Sequence, residues 1–335
     1  MQVAQRSTSV TNITGNSYNT ADRWQTVLTS LGTWTQSVEV DAPTGSGLRK
    51  SLKLNCTVAD ASPAAGDEAS IQTVLEGQNL QVFRKGTSDA KQFALQFWVK
   101  SNKTGTYTVW LADNTNSRQI SSTYTIDASA TWEKKTIIFS ADTSGAFAND
   151  NTGALNVRFY LAAGSNFTSG TLNTSWTTNP LTNTRVSSSQ ANLGAATSNY
   201  WQITGVQLEA ASAITDFEFE PYEDVLRKCQ RYYFRYGGSA AYERFGIAIG
   251  TSGTAANALI QHPVAMRTGP SVNLGTSALW DGVNLRSVTS LSIDQAGIHT
   301  SSVTINVATG LAAGGYYHLL SNGSTSGYFE MSAEL

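Results

Sequence analysis

The sequence predicts an all-β protein: a jelly-roll β-sandwich joined by a short helix to a second, smaller β-sandwich. Three observations carry that expectation. Apolar and polar residues alternate with period two in short runs along most of the chain. Each run is rich in aromatic or β-branched residues and is bounded by Gly, Asn, Asp or Ser. No amphipathic helical repeat interrupts residues 20–220 for long, and successive strands without crossover helices pack as antiparallel sheets.

The runs appear in chain order as Leu52–Leu54, Phe93–Lys100, Tyr107–Leu111, Glu133–Phe139, Val157–Leu161 and Trp201–Leu208. Asn102-Lys103-Thr104-Gly105 and Asp113-Asn114 mark turns between them. Residues 166–199 break the pattern, being almost all Ser, Thr, Asn, Ala and Gly, and read as a long loop. A helix is expected next, over 221–233. Pro221 is tolerated in a first turn, and Glu223 and Asp224 favour the positive end of the helix dipole. Strands then resume at Phe245–Ile249, Ala258–Ile260, Val272–Leu274, Val283–Val288, Ser302–Val307, Tyr316–Leu320 and Gly327–Glu334. The domains expected are therefore 1–220, a connecting helix at 221–233, and 234–335.

Charged residues make up 14% of the 335 residues, against about 25% in an average protein. Ser, Thr, Asn, Gln and Gly replace them, giving a neutral polar surface that suits a virion or secreted protein better than a cytosolic enzyme. The net charge is -2, and the densest basic group, Arg227, Lys228, Arg231 and Arg235, reads as a solvated helix face. No nucleic-acid partner is expected. The polar start, Met1 to Arg6, is not a secretory signal, and no run is long enough to span a membrane. Cys56 and Cys229 lack metal-type spacing and read as buried thiols.

Catalytic motifs are missing. The three histidines, His262, His299 and His318, have no nucleophile context, and there is no nucleophile elbow, Walker A or dinucleotide fingerprint. A glycosidase pair would have to come from residues such as Glu76, Asp113, Glu133, Glu209 or Glu218. No catalytic residue, metal ligand or cofactor is assigned. Asp113-Asn114-Thr115-Asn116 starts like a calcium loop but departs from it at Arg118 and Tyr124. A structural calcium is entertained only at Asp60, Asp67 and Glu68. What remains is binding. Sugars stack on aromatic rings and need directed hydrogen bonds at their hydroxyls. Of the eight tryptophans, at least two of Trp98, Trp110 and Trp132 are expected in the core. Trp176, alone in the polar loop, is the first glycan-platform candidate, followed by Trp280, Tyr242, Tyr316 and Tyr328.

The segment Trp201-Gln202-Ile203-Thr204-Gly205-Val206-Gln207-Leu208-Glu209-Ala210, with Ile214 to Glu218, Pro221-Tyr222, Leu226 and Cys229 to Tyr233, resembles a junction of bacteriophage tail fibres and related virion proteins. Met1 to Arg6, Asp22-Arg23-Trp24, Glu76 to Leu80, Phe97 to Ser101, Trp132 to Lys135, Leu172 to Trp176 and Met331 to Leu335 resemble the same group. The resemblance implies a first domain like jelly-roll carbohydrate-binding modules, a second β-domain at the tip, and homotrimers. Proteins of this kind often carry a longer region ahead of the Met1–Arg6 motif, so this chain is expected to be a compact particle protein or a piece of a longer fibre. Low charge and many β edges favour a symmetric assembly that covers them. Several weak sugar sites would then add up by multivalency.

The expected function is host attachment at the virion surface, as the distal part of a tail fibre, with other virion proteins and host-surface polysaccharide as partners. Two alternatives fit the same residues: an architectural head-fibre or capsid-decoration protein, and a polysaccharide depolymerase.

Overall fold

A computed structural model describes all residues, Met1–Leu335, and the chain divides into two units, Met1–Glu220 and Pro221–Leu335. In the first unit two antiparallel sheets face each other. One has six strands in the order Ser9–Ile13, Thr33–Glu39, Ser51–Val58, Tyr200–Ala210, Phe93–Ser101 and Glu133–Phe139. The other has seven, in the order Thr177–Thr178, Arg118–Ile126, Gly105–Asp113, Gly153–Ala163, Glu68–Glu76, Gln25–Thr29 and Ser17–Tyr18.

Period two decides which side chains meet between the sheets. Phe93, Leu95, Phe97 and Val99 point inward from one sheet, and Tyr107, Val109, Leu111, Val157, Phe159 and Leu161 from the other. Phe97 and Phe159 meet edge to face at 5.1 Å, and Trp201 donates its indole N–H to the Tyr124 hydroxyl at 3.1 Å. Each such ring contributes about 1.5–3 kcal/mol by leaving water. Burial pushes the Tyr107 phenol up to about 12.

The same parity corrects the expectation for tryptophan. The core indoles are Trp24, Trp34 and Trp201. Trp98 and Trp132 are only half-buried, and Trp110, though buried, belongs to a separate cluster with Ala112, Tyr160 and Val186. Inward-facing Phe97 and Val99 leave Trp98 no place but the other face, and inward-facing Val109 and Leu111 do the same to Trp110.

The junction motif has a structural explanation. Gly205 takes a φ of +58° at a bulge in the Tyr200–Ala210 strand, and a Cβ there would lie 2.8 Å from Leu48. Beyond the bulge, Glu209 accepts the Thr215 backbone N–H at 2.9 Å, and Gln207 accepts that of Glu218 at 2.8 Å. Gln207 and Glu209 thus hold segment 214–218 in place.

The Ser- and Thr-rich stretch is an ordered cover over the outer face of the seven-stranded sheet. Val186 packs with Trp110 and Tyr160 there, and Gln190 accepts the Thr108 N–H at 2.9 Å.

The second unit opens with a helix, Tyr222–Gln230, shorter than expected because Tyr233–Gly237 is already a strand. That strand, Tyr328–Ser332 and Ser271–Leu274 form a three-stranded sheet. The remaining six strands close into a barrel in the order Arg244–Gly250, Ala255–Gln261, Thr300–Val307, Leu285–Ala296, Ser277–Trp280 and Tyr316–Ser321. A second sandwich was expected, so this is a correction. The strand expected at Val283–Val288 begins at Leu285, after a turn, and Ser277–Trp280 was missed. Closure occurs because Tyr316–Ser321 pairs with Arg244–Gly250 on one side and Ser277–Trp280 on the other. Small buried residues, Ala248, Ala256 and Ala258, suit the narrow interior of the barrel.

Candidate functional site

Two of the five aromatic candidates come together. Tyr242 and Trp280 line one cavity of about 340 Å³ with Arg244, Leu285 and Leu320. The Arg244 guanidinium lies 5.1 Å from the Trp280 ring centroid and makes no ion pair. His318, opposite Trp280 across the strands, stands 5.8 Å from it, ring to ring.

Two tight turns frame this cavity. The carboxylate of Asp281 accepts the backbone N–H groups of Asn284 and Val283 and pairs with Arg286 at 2.8 Å. Those bonds hold its pKa well below the usual carboxylate range. On the other side, Glu243 accepts the Ser239 hydroxyl and backbone N–H at 2.7 and 3.1 Å. Tyr242 is 55% exposed and has a φ of +60°, a left-handed conformation that costs a non-glycine residue about 1–2 kcal/mol. Its hydroxyl sits 3.1 Å from where a Cβ on Gly323 would be. An exposed ring held in a strained conformation next to an indole and an ion-pair-free guanidinium gives a stacking surface with directed donors. No carboxylate lines it.

The other three candidates lie elsewhere. Trp176 is half-buried against Phe93 at 5.4 Å, donates its indole N–H to the Ser140 carbonyl at 2.9 Å, and has the Lys85 ammonium 5.3 Å from its ring. It anchors the loop. Tyr328 is covered by the Arg235 guanidinium at 3.5 Å. Tyr316 is 73% exposed on the outside of the barrel beside Ile249, its cross-strand partner, with Ile247 and Leu259 also exposed.

Four of the five carboxylates named as candidate acids are engaged by neighbouring groups, and the fifth, Glu218, is exposed. Asp113 is buried against Lys85 at 2.6 Å. Glu133 accepts the N–H groups of Asp127 and Ala128, and Glu209 holds Thr215. Glu76 accepts the Gln78 amide at 2.6 Å. The loop entertained for calcium does not gather its carboxylates: Asp60 caps Ser62, Asp67 caps Ala64, and Glu68 pairs with Arg158 at 3.3 Å. No group of three His, Cys, Asp or Glu side chains could hold a metal ion.

Sequence reasoning missed Arg244 as a partner of Trp280 and the whole second cavity, about 330 Å³, lined by Trp110, Arg118, Asn179 and Arg185 among others. The alternation around Trp110 was the available signal for the latter.

No protein-family model and no curated protein matches the chain. Among solved structures, the enzymatically active domain of tailspike protein 4 of bacteriophage CBA120 aligns at 16% identity and a TM-score of 0.31, over 56% of this chain and 19% of that one. A family 11 carbohydrate-binding module from Clostridium thermocellum, in complex with a β-1,3-1,4-mixed-linked tetrasaccharide, aligns at 9% identity and a TM-score of 0.31, over 60% and 97% of the two chains. A xylan-binding domain from carbohydrate-binding module family 22 aligns at 13% identity and a TM-score of 0.30, over 60% and 98%. The chain thus spans about a fifth of the tailspike chain and nearly all of the two modules.

Proposed function

We propose that this chain is a bacteriophage virion protein for host attachment, the distal part of a homotrimeric tail fibre that binds a host-surface glycan without cleaving it. The observation that carries the binding role is the cavity of Tyr242, Arg244 and Trp280, where rings for stacking meet a guanidinium with no ion pair. A hydrolase would need two carboxylates facing the sugar, and none lines this cavity. The phage assignment is supported by the junction motif, whose Gly205, Gln207 and Glu209 have specific structural tasks. Association of copies is supported by the neutral, exposed row of Ile247, Ile249, Leu259 and Tyr316 on the barrel.

Binding of the purified protein to bacterial cells and to their isolated surface polysaccharides, with product release assayed in parallel, tests this reading. Saturable binding without released product is expected, and Trp280→Ala should weaken it by about tenfold or more while leaving the melting curve in place. Absence of binding to either target would leave the architectural reading, and released oligosaccharide would favour the depolymerase.

A further inference from the structure

The second cavity, on the first unit, differs from the Trp280 site in the network of ion pairs that surrounds it. Trp110 lines it, with its indole N–H donated to Gln119 at 2.9 Å. Two guanidiniums lie over that ring, Arg158 at 5.1 Å and Arg185 at 4.9 Å. Arg158 is engaged, donating to Gln72 at 2.8 Å and pairing with Glu68. Arg118, on the cavity wall, grips Asp142 through two nitrogens at 2.6 and 2.8 Å. Lys85 lies between Asp113 and Asp142 at 2.6 and 3.0 Å.

The charges therefore cancel in sets. Lys85 and Arg118 offset Asp113 and Asp142, and Arg158 offsets Glu68. Arg185 is left over. It makes no ion pair, and its Nε is buried with no hydrogen-bond partner. The terminal nitrogens of this guanidinium also make no hydrogen bond within the protein and remain available to a bound acceptor. The Asn179 side chain, exposed on the rim, also makes no hydrogen bond within the protein. The cavity is at the small end of ligand pockets and suits one sugar ring.

We infer that the Arg185–Trp110 cavity binds a sugar carrying a single carboxylate, such as a uronic acid residue of an acidic polysaccharide. One excess positive charge matches one carboxylate, and guanidinium–carboxylate pairing is strong and directional. The Asn179 amide and the Ser117 hydroxyl, which line the cavity, are then available to the ring hydroxyls. This inference deepens the glycan-binding reading and rests on it, but uses a different site.

The test is titration of the full chain with sodium glucuronate, glucose and sodium acetate, followed by calorimetry or by NMR shifts of the indole N–H groups. Glucuronate should bind, perturb the Trp110 indole and bind more weakly as salt rises. Arg185→Met should weaken it at least about tenfold, since a hydrogen bond to a charged group is lost. Arg185→Lys should restore part of that loss. Undiminished binding by Arg185→Met overturns the inference, as does glucose binding equal to glucuronate. Acetate binding as tight as glucuronate overturns the assignment to a sugar. No glucuronate binding by the unsubstituted chain, alongside Trp280-dependent polysaccharide binding, would sink this inference alone. Should Arg185→Met fail to fold, Asn179→Ala on the exposed rim gives the same readout, with a smaller expected loss.

Discussion

The two cavities use the same pair of groups, an indole ring and a guanidinium with no ion pair, and differ in what holds that pair. In the first unit, Trp110 and Arg185 sit on a charge network, with Lys85 buried between Asp113 and Asp142 and Arg118 clamped on Asp142. In the second, Trp280 and Arg244 sit on a closed apolar barrel between two short turns. A site on buried charge is rigid but vulnerable, because each ion is tolerable only while its partner remains. A site on an apolar barrel can lose its surface ring without harm to what lies beneath.

Lys85→Met is the strongest way to break that contrast. It leaves Asp113 and Asp142 buried with one fewer cation, and the first unit should lose about 3–5 kcal/mol. Thermal melts should show the first unit's transition falling steeply and the second's unmoved. A shift within about 1 kcal/mol would show that the network behaves like a surface one.

Acid separates the units next. Burial lowers the pKa of His262, which is held by the Ile298 carbonyl and the Ser301 hydroxyl at 2.9 and 3.0 Å. The unfolded barrel therefore takes up a proton before the folded one. The resulting stability is fully present above the ordinary value of 6.5 and is lost as pH falls below it. For Asp142, burial pushes the pKa up, but Arg118, Lys85 and the Ser144 N–H outweigh it and hold it below 3.8. Its contribution persists down to that value and is lost only below it. The barrel should therefore soften first on acidification, and fluorescence melts at stepped pH would detect it. Softening of the sandwich first would reverse the expected order.

The smallest effect sharpens the comparison at the second cavity. Tyr242→Gly removes a ring and relieves a left-handed backbone, so stability should rise by up to about 1 kcal/mol while polysaccharide binding weakens. Unchanged stability would mean that the ring's contact with Gly323 offsets its strain.

Several of these features were legible in the linear chain. The alternation through Phe93–Lys100 told which residues face the core, and it also placed Trp98 and Trp110 on the opposite face, against the expectation that large rings go inside. Tyr242 and Trp280 were recognisable as aromatic residues among polar ones, but their meeting depends on strands far apart in sequence. Trp176 looked the same locally, yet Phe93 and Ser140 take up its ring and its N–H. Arg185 carries no local mark, because its significance is the missing counter-ion.

By itself the sequence determined the all-β class, the two-faced strands of the first unit and the absence of known catalytic motifs, since these follow from side-chain period and local residue pattern. Tertiary structure alone decided that the second unit closes into a barrel, which rings became anchors and which stayed open, and which positive charge was left without a partner. Strand order, packing and charge balance are set by contacts between distant residues, and no local pattern encodes them.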